Sequence, residues 1–152
     1  QSALGSGGWL LLSAVVLAPL FEEVVFRGYV AGSLRRSYGA LVAWIGSAVA
    51  FGLVHLIPSV VLSATLMGLV LGYFALRYRS LWLSIVLHAM NNATACFLRI
   101  VDMEDVTVRE LMGGGTAYWL LYAVATAIAL TSLVRMGRAL SSQKSDNYSR
   151  EV

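Results

Sequence analysis

The chain is short of cysteine and of charged residues, and each shortage argues against a class of protein. The single cysteine, Cys96, excludes an intramolecular disulfide and any metal site built from several cysteines. Charged residues make up 12% of the chain, against about a quarter in ordinary soluble domains. Basic and aromatic residues are not interleaved in a patch, so the sequence has no signature of nucleic-acid binding.

Hydrophobic residues are abundant, at 59% of the chain. A single soluble domain of this length cannot bury so many apolar side chains, so we expect a membrane to be their solvent. Each of five apolar runs approaches the ~20 residues that a helix needs to cross a bilayer. Because a helix makes all of its backbone hydrogen bonds internally, it can cross lipid. The sequence therefore predicts an all-α, multi-pass transmembrane bundle of about five membrane helices. The runs are Trp9–Tyr29, Ala40–Leu56, Ser59–Leu76, Leu81–Ile100 and Ala117–Val134.

The loops predict an orientation for this bundle. Arginines follow the first, third and fifth runs, whereas the connection at 55–59 is uncharged and the one at 102–110 is acidic. Basic loops face the cytoplasm, so we expect the N-terminus outside and the C-terminus inside. The arginines are Arg35, Arg36, Arg77, Arg79, Arg135 and Arg138, and the tail adds Lys144 and Arg150.

Small residues mark places where helices could pack closely. Gly28 with Gly32, and Gly68 with Gly72, both have the GxxxG spacing of tightly packed membrane helices. Because glycine is common in membrane helices, chance spacing is an equal explanation for either pair. The run Gly113–Gly115 predicts a flexible turn, and residues 139–152 predict a polar, disordered cytoplasmic tail.

Three charged residues lie within the first apolar run: Glu22, Glu23 and Arg27. Uncompensated at bilayer depth, they would cost roughly 8–10 kcal/mol. Glu23 and Arg27 have the i,i+4 spacing and acid-first order of a helical ion pair. Glu22 points about 100° away around the helix, where it could face a cavity and act as a general base. The alternative is an ion pair that only holds helices together.

The two histidines also lie in apolar runs. His55 follows Phe51 by one helical turn, and a histidine at a helix end is often an interfacial residue or a cap. His88 shares a helix face with Asn92, and Asn91 lies nearby. An interhelical hydrogen bond would explain either histidine alone, but one shared site explains all these polar residues together. Cys96 is interpreted as a packing residue.

These residues resemble the three signature motifs of the CPBP family of intramembrane proteases, which includes the type II CAAX prenyl endopeptidases and bacteriocin-processing relatives. EExxxR matches Glu22, Glu23 and Arg27, FxxxH matches Phe51 and His55, and HxxxN matches His88 and Asn92. One motif alone is weak, but three in order on separate predicted helices are specific. Family members typically have more than five helices, so we expect further spans to precede residue 1.

The resemblance implies an intramembrane endopeptidase acting on a membrane-anchored, hydrophobic peptide, in one branch a prenylated CAAX peptide. It implies a protease domain at residues 7–138. Glu22 would activate water with the help of His55, and His88 with Asn92 would stabilise the oxyanion. Supporting roles fall to Glu23, Arg27, Phe51 and Asn91.

Several alternatives stay open at the level of sequence. A metal-free mechanism is favoured, although Glu22, His55 and His88 could hold zinc. A non-enzymatic immunity or scaffold protein that binds another membrane peptide is the second function considered, and a proton-coupled transporter is the third. Straight helices would place Glu23, His55 and His88 at different depths, so we expect either tilted helices or a connection around 28–39 that dips into the membrane.

Overall fold

The computed structural model describes residues 8–101, 110, 113 and 115–151, and the side chains of all of these except 59, 117 and 143–151. Over those ranges the chain forms five helices and no strand. The prediction of an all-α membrane bundle is therefore confirmed. The helices are α1 (Gly8–Tyr38), α2 (Ala40–Leu53), α3 (Pro58–Tyr78), α4 (Leu81–Ile100) and α5 (Thr116–Glu151).

Four of these helices, all but α2, are long and apolar enough to cross a membrane. Helix α2 has 14 residues, which at 1.5 Å per residue is about 21 Å, shorter than a hydrocarbon core of about 30 Å. It ends two residues before His55, which lies in the turn that leads to α3. The protein is an integral membrane protein.

Local sequence explains where the first four helices meet. Gly39 has a φ of 88°, a conformation that glycine adopts without a Cβ clash, and it reverses the chain between α1 and α2. Pro58 opens α3 in the first turn, where its missing N–H costs nothing. The Ser80 hydroxyl accepts a 3.4 Å bond from the Leu83 N–H and caps α4. Because α1 stays helical to Tyr38, the connection between α1 and α2 is limited to Gly39.

Helix α1 is not a regular α-helix along its whole length. Two π-helical segments, Ser13–Leu17 and Val24–Val30, flank the α-helical segment Ala18–Glu23. That segment ends with the two glutamates, and the second π-helical segment contains Arg27. Wider π turns inside α-helices are frequent at functional sites.

Helix α4 runs antiparallel along α1. A Cβ at Gly28 would lie 3.9 Å from the Leu81 side chain near the start of α4. Further along, His88 contacts Glu23, and Asn92 contacts the backbone of Ala14. As the residue number rises on α4 it falls on α1, which aligns the glutamates with His88.

Helices α2 and α3 pack closely through the second glycine pair. A Cβ at Gly68 would lie 3.0 Å from the Ala48 Cα, and one at Gly72 would lie 3.3 Å from the Trp44 ring. By contrast, a Cβ at Gly32 would meet nothing within 4 Å. The Gly68/Gly72 pair is therefore a packing motif, whereas Gly32 faces open space.

The apolar core lies at the end of the bundle where α1 turns into α2. Its buried members are Ala31, Ala43, Trp44, Leu76 and Leu140. Helix α5 joins the core through its C-terminal half, since Leu140 is fully buried, while its large residues from Trp119 to Leu130 are exposed. The backbone of α5 is helical into the predicted polar tail, and the division of the chain at residue 138 stays a prediction. The acidic loop, apart from Glu110, and Gly114 lie outside the described residues.

Candidate active site

A buried ion pair forms the base of the site. Arg27 Nη1 donates to Glu23 Oε1 at 2.8 Å, and both side chains are fully buried. The predicted i,i+4 pair is confirmed. Of their remaining polar atoms, Glu23 Oε2 and Arg27 Nε have no hydrogen-bond partner within the described part of the chain. The pair is therefore held through Oε1, and not through a bidentate contact.

Two further groups hold the guanidinium of Arg27. Its Nη2 donates to the Gly68 carbonyl at 3.1 Å, and its Cζ lies 4.4 Å from the centroid of the Phe51 ring. The attraction between a cation and the face of an aromatic ring is strongest where water is excluded. Arg27 thus ties α1 to α2 and α3 at one point.

His88 connects this ion pair to Glu22. Its Nδ1 lies 3.0 Å from Glu23 Oε1, and its Nε2 lies 3.7 Å from Glu22 Oε2. A carboxylate oxygen that already accepts from Arg27 also accepts here, so Nδ1 of His88 carries a proton. The Nε2 atom is then directed toward Glu22.

The two adjacent glutamates have different surroundings. The Glu23 side chain is fully buried, whereas that of Glu22 is 34% exposed. The turn of the helix between neighbouring residues produces this difference. Glu23 is committed to its partners, and Glu22 keeps a carboxylate that can meet a substrate or water.

His55 lies in the turn after α2, with its Nδ1 2.9 Å from the Phe51 carbonyl oxygen. A carbonyl oxygen only accepts, so Nδ1 of His55 carries the proton and Nε2 has the free lone pair. This half-buried imidazole therefore has one nitrogen fixed by backbone and one available.

The asparagines extend the polar surface by one turn of α4. Asn92 Nδ2 donates to the Ala14 carbonyl, in the first π-helical segment, at 2.9 Å. Asn91 Nδ2 donates to Asn92 Oδ1 at 3.3 Å. An amide nitrogen has two N–H groups, so Asn92 keeps one donor after binding Ala14.

A cavity of about 610 Å³ lies against these groups, between α3 and α4. Its polar wall contains both histidines and both asparagines, and its apolar wall comes from the inner face of α3. The lining residues are Phe51, His55, Val60, Ser63, Ala64, Leu66, Met67, Val70, His88, Asn91 and Asn92.

The structure brings most of the sequence-predicted residues together. His55, His88 and Asn92 share the cavity, and His88 also contacts the glutamates. Glu22 is not among the lining residues, and no hydrogen bond within the described part of the chain joins it to His55 or Asn92. Glu22 is therefore linked to the cavity lining by the 3.7 Å contact between its Oε2 and His88 Nε2.

Sequence reasoning missed two kinds of group, backbone carbonyls and the inner face of α3. The carbonyls of Gly68 and Ala14 accept from Arg27 and Asn92, but every residue has a carbonyl, so no residue type reveals them. The inner face of α3 consists of ordinary apolar residues. The GxxxG spacing was the one available signal, because close approach of α3 is what presents Gly68 to Arg27.

The metal dependence considered from the sequence stays a prediction. Among the described residues, no group of three or more His, Cys, Asp or Glu side chains is arranged to hold a metal ion. His88 Nδ1 bonds Glu23, and His55 Nδ1 bonds a carbonyl. Each histidine therefore has its Nε2 left for other contacts.

Comparison with known proteins agrees with these motifs. Residues 5–94, more than half of the chain, match the family described as type II CAAX prenyl endopeptidase Rce1-like. A curated relative from Bacillus subtilis (strain 168), named "Putative membrane peptidase YdiL", is 29% identical over 97 residues, which are 64% of this chain and 38% of the relative. The chain thus spans less than half the length of that relative. No solved structure matches this chain. The chain belongs to the Rce1-like family of type II CAAX prenyl endopeptidases.

Proposed function

We propose that this protein is an intramembrane endopeptidase that uses Glu22 to activate water against a peptide bond of a membrane-anchored substrate. The observation that carries the proposal is the position of His88. One of its nitrogens bonds the buried Glu23–Arg27 pair, and the other points toward Glu22 beside a cavity. A purely structural ion pair needs neither a second carboxylate nor a cavity.

Glu22 is the general base of the proposed reaction. Its carboxylate is partly exposed and has no ion pair with Arg27, so it can take a proton from water. His55 assists because its free Nε2 lone pair can accept a hydrogen bond from the same water. That bond would hold the second O–H bond of the water away from the carbonyl carbon that is attacked.

His88 and Asn92 stabilise the negative charge that develops on the carbonyl oxygen. Donation from His88 Nε2 requires protons on both ring nitrogens, and Nδ1 already lies 3.0 Å from its acceptor, Glu23 Oε1. With His88 positively charged, two carboxylates and two cations make the cluster neutral, which suits a site at bilayer depth. The second N–H of Asn92 supplies the other donor.

The proposed reaction consumes one water molecule and breaks one peptide bond. Water loses a proton to Glu22 as its oxygen bonds the carbonyl carbon, and the tetrahedral oxyanion forms. The oxyanion collapses, the carbon–nitrogen bond breaks, and the proton passes from Glu22 to the leaving amine. The products are a carboxylic acid and an amine, which become a carboxylate and an ammonium when the acid proton passes to the amine, and the Glu22 carboxylate is regenerated.

The apolar wall of the cavity suits a substrate that arrives from lipid. Membership of this family supports a substrate from which a C-terminal tripeptide is released after a lipidated cysteine. Val60, Ala64 and Met67 line one face of α3 at helical spacing, where a hydrocarbon chain could lie while the peptide bond meets the polar wall.

The decisive experiment compares Glu22→Gln with the wild type on a farnesylated CAAX peptide and on the same peptide without the lipid. We expect the variant to fold normally and to lose turnover by at least about 100-fold, the lower range for a catalytic base. The control Glu110→Gln changes an exposed carboxylate that does not line the cavity, and it should leave turnover unchanged. Wild-type turnover in Glu22→Gln would refute the mechanism.

The same preparations separate the remaining alternatives. Retained cellular function in both Glu22→Gln and His88→Ala, without any cleavage, would favour an immunity or scaffold role. Turnover that a chelator abolishes and zinc restores would replace the metal-free mechanism proposed here with a zinc-dependent one.

A further inference from the structure

Phe51 lies at the centre of the site, and the proposed reaction gives its ring no step to perform. Its side chain is 2% exposed. The Arg27 guanidinium carbon lies 4.4 Å from its ring centroid, and the rings of His55 and His88 lie 5.0 Å and 5.5 Å away. One ring therefore contacts the cation and both imidazoles.

The angles show how these groups are arranged. The Phe51 ring makes an angle of 69° with the His55 ring and 84° with the His88 ring, and Phe26 packs against it at 82°. Near-perpendicular rings attract because the positive edge of one meets the negative face of the other. Such pairs have a preferred angle, whereas aliphatic contacts have none.

From these contacts we infer that Phe51 is a positioning residue that sets the orientation of both imidazoles and holds Arg27 against Glu23. The catalytic part of this inference rests on the proposed function. The geometric part does not, because it concerns only the two histidines and the ion pair.

A plain core residue would fill the same volume without these effects. A leucine at position 51 would give Arg27 no aromatic face and the histidines no perpendicular aromatic ring. The Phe51 carbonyl that bonds His55 belongs to the backbone and persists in any substitution. Changes at this position therefore report on the ring.

The first test uses nitrogen NMR of histidine-labelled protein in lipid nanodiscs. The chain has two histidines, so each imidazole is observed separately, and its nitrogen shifts report which nitrogen carries the proton. We expect one protonation pattern per histidine in the wild type and mixed patterns in Phe51→Leu. Phe74→Leu is the matched control, since Phe74 stacks on Tyr78 in α3 and should leave both patterns unchanged. Unchanged patterns in Phe51→Leu would overturn the inference.

The second test measures turnover of the farnesylated peptide. Phe51→Leu should lower kcat by about 10- to 100-fold with KM within about twofold, because misplacement of catalytic groups slows chemistry more than binding. Pentafluorophenylalanine at position 51 keeps the shape of the ring but reverses the charge on its face. We expect kcat to fall there too, and a wild-type kcat would refute the role of the ring face in holding Arg27.

The two proposals can fail separately. Wild-type turnover in Glu22→Gln would remove the protease mechanism while the NMR result on Phe51 stands. An inactive Glu22→Gln protein together with unchanged histidine patterns in Phe51→Leu would remove the positioning role and keep the mechanism.

Discussion

At the scale of single residues, the two adjacent glutamates have different surroundings because neighbouring residues point in different directions around a helix. Glu23 is fully buried and bonds Arg27 and His88 through a single oxygen. Glu22 is partly exposed, and its Oε2 lies 3.7 Å from Nε2 of His88. A buried carboxylate that bonds both Arg27 and His88 is a structural anchor, whereas its neighbour keeps a partly exposed carboxylate.

This difference predicts that Glu23→Gln destabilises the fold far more than Glu22→Gln. Removing one partner of a buried pair leaves the other charge uncompensated, which costs about 3–5 kcal/mol. The free energy of unfolding, measured with denaturant in one detergent, should fall by that amount in Glu23→Gln and by about 1 kcal/mol or less in Glu22→Gln.

A double variant provides the control for that prediction. Glu23→Gln combined with Arg27→Met removes both charges, so part of the lost stability should return. Equal destabilisation by the two single glutamine variants would show that the ion pair is not the anchor described here.

At the scale of helices, the approach of α3 to α2 determines where Arg27 finds its backbone acceptor. A Cβ at Gly68 would lie 3.0 to 3.2 Å from three atoms of Ala48. A Cβ at Gly52 would overlap the Thr65 hydroxyl and lie 2.8 Å from the Val61 carbonyl. The α2–α3 interface therefore has little room for a methyl group at either position.

Gly68→Ala should separate these helices. Overpacking of this kind typically costs about 1–3 kcal/mol, and the Gly68 carbonyl would move away from Arg27. We expect lower thermal stability and lower turnover together. Gly32→Ala is the matched control, since open space surrounds that position and alanine in a helix interior gains about 0.5–1 kcal/mol over glycine. Equal effects of the two substitutions would contradict the packing described here.

At the scale of the whole molecule, the structure gathers six of the predicted loop arginines at one end. Arg35 Nη1 donates to the Leu76 carbonyl at 3.4 Å, which places the ends of α1 and α3 side by side. A Cβ at Gly137 would lie 3.3 Å from the Trp44 ring, which brings the basic segment of α5 to the same end. The six predicted loop arginines thus share one end of the bundle.

The positive-inside rule predicts that this end faces the cytoplasm. A reporter enzyme that is active only outside the cytoplasm should be inactive when fused after residue 79 or residue 152. It should be active when fused after Ile57, which lies at the opposite end of α3. Activity in the reverse pattern would invert the orientation and would place the basic end outside.

Much of this protein follows from local sequence. An apolar run in lipid forms a helix because an open sheet edge would leave backbone groups without hydrogen bonds. The all-α bundle and the positions of its helices could therefore be predicted. The Glu23–Arg27 pair followed from i,i+4 spacing, because helix geometry alone brings those side chains together. The motifs indicated which polar residues share a site.

The tertiary structure alone decided how those residues meet. The offset between α1 and α4 determines that His88 lies beside Glu23, and spacing along one chain does not specify an offset between two helices. The backbone acceptors at Gly68 and Ala14 are chemically the same as every other carbonyl, so only packing selects them. Likewise, packing decided that Gly68 and Gly72 face a neighbouring helix while Gly32 does not, because a glycine pattern records where helices can approach and not which ones do.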